Sequence, residues 1–211
     1  MSRMRLLPYG DAAVLAEVAD VDEALALHAD LRNRRPPGTV DVVPGERTVF
    51  VRFDPAVTSA GEVRADLARR EINRDRRTDG PLVTVPVVYD GADLADVAAA
   101  LGLSIADLIA AHQRLTWRVA FVGFAPGFGY LVPDGDWPEM PRRTDPRTRV
   151  PAGSVAVAGR YSGIYPGASP GGWQLLGHTD LRVWDLQREP PALLVPGATV
   201  RFEAVRSEAP P

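Results

Sequence analysis

Apolar and polar residues in this chain alternate in short bursts and never in long runs. Over Thr48–Phe53, Val49, Val51 and Phe53 fall on one face and Arg52 on the other, the period-two pattern of a half-buried strand. Asp11–Val18 and Leu82–Val88 also read as strands. Elsewhere the period lengthens. Asp20 is followed three residues on by Glu23, and Val21, Ala24, Leu25, His28 and Leu31 then recur at helical spacing. Ser59 and Glu62 repeat the capping signature before Val63 and Leu67. Ser104 and Asp107 open a third such helix over Ser104–Leu115, with a shorter one at Asp93–Leu101. After Thr116 the pattern turns β-rich: Trp117–Val122, Ser154–Ala158, Trp173–Leu176, Ala192–Val195 and Thr199–Ala204 are predicted strands. Short strands parted by Gly/Pro turns predict a barrel or sandwich.

The change of pattern suggests two domains. A charged stretch, ARREINRDRRTDGP, ends at Gly80-Pro81 and reads as a solvated helix end running into a linker, an anion patch being the alternative. The boundary there gives a small α+β domain over 1–80 and a β-rich domain over 81–211.

Composition narrows the chemistry. Cysteine is absent, which removes disulfides and thiolate sites. All 24 basic residues are Arg, so a Schiff-base amine and a P-loop lysine are excluded. The net charge of -3 gives no basic field for nucleic acid. The N-terminus lacks an apolar h-region, and no apolar run approaches the length of a membrane helix. These features predict a cytoplasmic protein that binds neither membrane nor nucleic acid.

The segment Phe121–Thr179 departs most from an ordinary chain. Eight of the 20 prolines and 11 of the 19 glycines lie between Gly123 and Gly177, interleaved with Phe124, Phe128, Tyr130, Trp137, Tyr161, Tyr165 and Trp173. A linker has no use for aromatics, so the segment reads as rigid loops forming a binding surface. Within it, Arg142, Arg143, Arg147 and Arg149 sit between Pro141, Pro146 and Pro151. Two readings stay open: recognition of carboxylate or phosphate, or surface pairing with Asp145, Asp134 or Asp136.

Other constellations are weaker. Gly167-Ala168-Ser169-Pro170-Gly171 fits G-x-S-x-G, but turn residues follow the serine where a nucleophile elbow needs a helix. The histidines, at 28, 112 and 178, form no metal-ligand pair, and no metal site is expected. His112 shares a helical face with Leu108 and Leu115 and reads as packed, a catalytic base being the alternative; His178 is the better candidate for exposure. By themselves these residues describe a binding surface with an arginine loop and name no reaction.

The ordered motifs do more. G-F-A-P-G-F (Gly123–Phe128), the run from Pro141 to Gly159, G-I-Y-P (Gly163–Pro166) and S-P-G-G-W (Ser169–Trp173) followed by G-H-T resemble the kinase A inhibitor family, also called allophanate hydrolase subunit 1 or the B subunit of 5-oxoprolinase. His112, Phe124, Pro126, Gly127, Phe128, Tyr130, Arg142, Arg147, Tyr165, Pro170, Gly171, Gly172, Trp173 and Thr179 match its pattern. The resemblance implies an α+β fold, a small α/β domain followed by a cyclophilin-like β barrel. It implies a subunit 2 partner (the C subunit of 5-oxoprolinase), a third subunit of the lactam-utilisation type, and ATP-dependent opening of 5-oxoproline to glutamate, with ATP bound by the complex. Arg142 and Arg147, with Phe124, Pro126, Gly127, Phe128 and Tyr130, are the expected substrate-binding residues. Tyr165 and Pro170–Trp173 would shape the pocket or a subunit seam, and His178 is a candidate acid/base. Inhibition of a sensor histidine kinase, or half of a urea carboxylase-type carboxyltransferase, are the alternatives. The chain departs from the family at His178 (usually Arg), at Tyr161-Ser162 (usually Gln-Thr) and at Trp117 (usually Tyr).

Overall fold

A computed structural model describes residues 4–74 and 80–206. The chain divides into two compact units, Met1–Asp79 and Gly80–Pro211. Residues 75–79 of the charged stretch lie outside the described residues.

The first unit runs β1 (Arg5–Pro8), β2 (Ala13–Glu17), α1 (Val21–Asn33), β3 (Thr39–Pro44), β4 (Thr48–Phe53) and α2 (Ala60–Ala68). The strands form an antiparallel sheet in the order β1-β2-β4-β3. Both helices start where their caps predict. The Asp20 carboxylate accepts from Glu23 N at 3.0 Å, and Ser59 and Glu62 form a reciprocal capping box. Val49, Val51 and Phe53 meet Leu27, Leu31, Val63 and Leu67 in one core, so both helices cover the same face of the sheet. The charged stretch corrects one expectation. Arg70, read there as part of a solvated helix end, is only 10% exposed at its side chain and clamps Asp30 of α1 to Asp66 of α2.

The second unit comprises β5 (Leu82–Val87), α3 (Leu94–Ala100), α4 (Ile105–Arg114), β6 (Trp117–Val122), β7 (Gly129–Pro133), β8 (Arg147–Val150), β9 (Ser154–Ala158), β10 (Tyr161–Ile164), β11 (Ser169–Gly171), β12 (Gln174–His178) and β13 (Thr199–Ala204). Seven strands form one sheet, β12-β9-β10-β7-β6-β13-β5, with β13 and β5 parallel. Val88, just past β5, exchanges two backbone hydrogen bonds of 2.9 Å with His178 of β12, bringing the sheet's two edge strands together. The result is a nearly closed barrel filled by Trp117, Val119, Leu131, Val155, Ile164, Val200 and Phe202. Strands β8 and β11 pair separately.

Two sequence expectations fail here. Ala192–Val195 is not a strand: Pro190, Pro191 and Pro196 flank it, and only Ala192 bridges, to Trp184. Trp173–Leu176 shifts to Gln174–His178. Strand β10 forms over Tyr161–Ile164, where the sequence pattern predicts no strand. Its Gly163 is required by close packing, since a Cβ there would lie 3.0 Å from Phe128 Cζ and 3.1 Å from Trp173 Cζ3. Among the described residues no single helix is long and apolar enough to cross a membrane.

Candidate functional site

The site grows from the hairpin loop between β6 and β7. Ala125 N donates to Gly123 O at 2.8 Å across Phe124, whose φ is 67°. That is a γ-turn of the strained, positive-φ kind. Phe128 N then donates to Ala125 O at 3.0 Å, with Pro126 and Gly127 (φ 83°) in the middle, the residues a type II turn requires. A Cβ on Gly127 would lie 2.8 Å from Trp184 Cβ, so the loop seats on that tryptophan. The double turn leaves Phe124 61% exposed while Phe128 is buried.

Behind Phe124 the aromatics meet edge to face. Phe128 packs against Tyr130, Tyr165 and Trp173 at centroid distances of 5.2, 5.3 and 5.2 Å, and Tyr130 stacks on Phe121 at 4.4 Å. They wall a cavity of about 300 Å³ completed by Arg142, Arg143, Pro146 and Pro170–Trp173. Burial raises the Tyr165 phenol's pKa, and a Trp173 N–H and the Arg142 charge only partly offset this. It is therefore a neutral hydroxyl at neutral pH.

The arginine loop is anchored by a residue fifty positions upstream. Asp93 Oδ1 accepts from Arg143 Nη1 and Arg147 Nη2, both at 2.7 Å, and its Oδ2 accepts from Leu175 N at 2.7 Å. The carboxylate is almost fully buried. Burial alone would raise its pKa, but the Arg147 and Leu175 hydrogen bonds and the two guanidinium charges outweigh it and hold it below the ordinary value. Arg143 N also donates to Gly172 O at 2.8 Å, joining this loop to the S-P-G-G-W loop. The pairing reading is corrected in its partner, which is Asp93 in place of Asp145, Asp134 or Asp136. Arg147 does not line the cavity. Arg142 does, and it has no hydrogen-bond or ion-pair partner among the described residues.

The structure brings Phe124, Phe128, Tyr130, Arg142, Tyr165, Pro170, Gly171, Gly172 and Trp173 to one cavity. Pro126 and Gly127 shape the loop without lining it. His178 lies elsewhere, on β12 at the barrel closure, with Nδ1 2.9 Å from Asp90 Oδ1. His112 is fully buried between Tyr89 and Ser162. Ser162 Oγ donates to Ala156 O at 3.3 Å, so His112 Nε2–H donates to Ser162 at 3.0 Å and Nδ1 accepts from Tyr89 O–H at 2.8 Å. Burial pushes the imidazole down to about 3. It is a packed, neutral histidine, and neither it nor His178 bonds to Ser169. Among the described residues, the cavity lining holds no carboxylate and no histidine.

Residues 4–194 match the family described as carboxyltransferase domain, subdomain C and D. The chain belongs to that family. It is 38% identical to the B subunit of 5-oxoprolinase from Escherichia coli O157:H7, over 96% of either chain. It is 33% identical to the B subunit of 5-oxoprolinase from Bacillus subtilis (strain 168), over 95% of this chain and 92% of that one. Among solved structures it resembles TTHA0988, with a TM-score of 0.76 and 39% identity over 95% of this chain. The chain spans only 41% of TTHA0988's length. The carboxyltransferase C/D fold thus agrees with the α+β, barrel-containing architecture implied by the motifs.

Sequence reasoning missed Asp93. It sits in D-G-A-D before a helix and reads as a cap, yet its side chain makes no cap hydrogen bond. No local signal directs it to a loop fifty residues away. Trp184, the seat of the hairpin loop, was missed for the same reason.

Proposed function

We propose that this chain is the substrate-binding part of an ATP-dependent 5-oxoprolinase, working as one subunit of a complex. The observation that carries the reading is the aromatic cavity with one uncommitted guanidinium, in a chain whose relatives are named as B subunits of 5-oxoprolinase. 5-Oxoproline is a small five-membered lactam with two largely apolar ring faces, a polar amide edge and one carboxylate. The ring fits against Phe128, Tyr130 and Trp173, and the carboxylate pairs with Arg142.

The same cavity sets the limits of what this chain does. Opening a lactam requires a group that activates water, and a neutral tyrosine and arginines do not remove a proton at neutral pH. That group comes from another subunit. The chain has no lysine and no P-loop to cradle a triphosphate. We assign the nucleotide to the complex and route no step of this chain through it.

The test is turnover of 5-oxoproline by the reconstituted complex. Arg142→Met should raise KM for 5-oxoproline by roughly 10- to 100-fold, the worth of one charge-assisted hydrogen bond, with a smaller change in kcat. An unchanged KM refutes Arg142 as the carboxylate anchor. Absence of 5-oxoproline turnover with all subunits present refutes the substrate.

A further inference from the structure

The walls of the aromatic cavity take the ring and Arg142 takes the carboxylate, which leaves the polar amide edge to be paired. A carbonyl oxygen moved from water into an apolar cavity loses its hydrogen bonds, so a site that selects a lactam has to return one.

Tyr165 brings a hydroxyl to this place. It is 2% exposed, and its backbone is pinned twice: Tyr165 N donates to Ser154 O at 3.0 Å, and Gly153 N donates to Tyr165 O at 2.8 Å. The ring stands edge to face against Phe128 and Phe124, at centroid distances of 5.3 and 6.2 Å. Its oxygen presses on Gly171, where a Cβ would collide with it. A ring held in this way keeps one freedom, the rotation of its O–H bond.

Two cavities share Tyr165 as a wall. The second, of about 430 Å³, is lined also by Gly153, Thr179 and Trp184, whereas Gly171 lines the aromatic cavity alone among the two. The hydroxyl end of the ring, lying on Gly171, therefore belongs to the aromatic cavity, on which Arg142 also opens. The phenol oxygen accepts from the Trp173 N–H and feels the Arg142 charge. Among the described residues no protein group accepts its hydrogen. Burial keeps the phenol protonated at neutral pH, so that hydrogen is present to be given.

We propose that the Tyr165 O–H donates to the lactam carbonyl oxygen of 5-oxoproline and sets the site's preference for lactams over ring acids that lack the carbonyl. The inference rests on the 5-oxoprolinase reading for the identity of the substrate. In that molecule the carbon bearing the carboxylate and the carbonyl carbon flank the ring nitrogen, so a guanidinium and a phenol on one cavity hold the two ends of the same edge. The guanidinium attracts any small ring acid. The phenol discriminates, because against a CH2 group its hydrogen stays unpaired. Gly171 belongs to the same device, since only a residue without a side chain leaves the phenol its position.

The experiment compares 5-oxoproline with cyclopentanecarboxylate, a ring acid of similar size without the amide, in the reconstituted complex. It reads KM for the first and the competitive inhibition constant for the second. Tyr165→Phe should raise KM roughly tenfold, the worth of one neutral hydrogen bond, and leave the inhibition constant within about twofold. Arg142→Met should weaken both ligands. Gly171→Ala, which pushes the phenol oxygen out of place, should erode the preference for 5-oxoproline with the tyrosine intact, and it decides the question should Tyr165→Phe fail to assemble. A preference unchanged in these variants, or an equal weakening of both ligands by Tyr165→Phe, overturns the phenol as donor and leaves the 5-oxoprolinase reading standing. Absence of 5-oxoproline turnover by the wild-type complex overturns both.

Discussion

Replacing Asp93 with asparagine keeps its volume and removes its charge, and the geometry predicts the cost. The wild-type carboxylate receives three donors, two from guanidinium groups and one from Leu175 N. An amide has one acceptor oxygen, so either the arginines or Leu175 N must face its NH2 group, donor against donor. Removing one partner of a fully buried ion pair costs about 3–5 kcal/mol. Here the carboxylate is 2% exposed but Arg143 and Arg147 are 32% and 21% exposed and retain some access to water, so the expectation falls to about 2 kcal/mol. All four tryptophans lie in the second unit, so urea unfolding followed by tryptophan fluorescence reads that unit alone. A cycle with Arg147→Met should return a coupling energy above about 1 kcal/mol. The pH dependence supplies an independent sign. Because folding lowers the Asp93 pKa, its stabilisation is present above the ordinary value of 3.8 and is lost as pH falls through the lower folded value. Asp93→Asn should lack that acid-induced loss. A change below about 0.5 kcal/mol with no coupling would refute the anchor. The loop would then be held by Arg143 N on Gly172 O and by Gln174 Nε2 on Pro141 O.

Acid should also weaken each unit through a buried histidine. Burial, reinforced by Arg32 and Arg35, lowers His28 to about 4, and burial lowers His112 to about 3, from 6.5. The unfolded chain takes up each proton first, so stability falls as pH drops from 6.5 toward those values, by roughly 1.4 kcal/mol per pH unit per histidine. Tryptophan fluorescence reads the His112 part and amide exchange in α1 the His28 part; His28→Leu should flatten only the second. Gly153 has φ +79°, and a Cβ there would collide with the Thr179 carbonyl oxygen, so Gly153→Ala should cost about 3 kcal/mol or more by urea denaturation. An unperturbed midpoint would show that the second cavity's wall can move aside.

Residues that act over three or four positions speak for themselves in the sequence. Asp20 with Glu23, Ser59 with Glu62 and Ser104 with Asp107 cap the helices they announce, because a cap is a bond between near neighbours. The alternation of Thr48–Phe53 is met as strand β4 for the same reason, and Pro126-Gly127 encodes its turn locally. The motifs that resemble the 5-oxoprolinase family made the barrel legible too, where periodicity alone allowed barrel or sandwich. Much of the site was likewise visible as an aromatic, Gly/Pro-rich segment with arginines. Which arginine is free was not. Arg142, Arg143, Arg147 and Arg149 are chemically identical along the chain, and only the fold carries Asp93 to two of them and leaves Arg142 uncommitted in the cavity. Pairings across fifty residues, like the bridge from Val88 to His178 that brings the barrel's edges together, depend on where the chain returns in space. That return is determined by the packing of the whole core, which no local run of residues encodes.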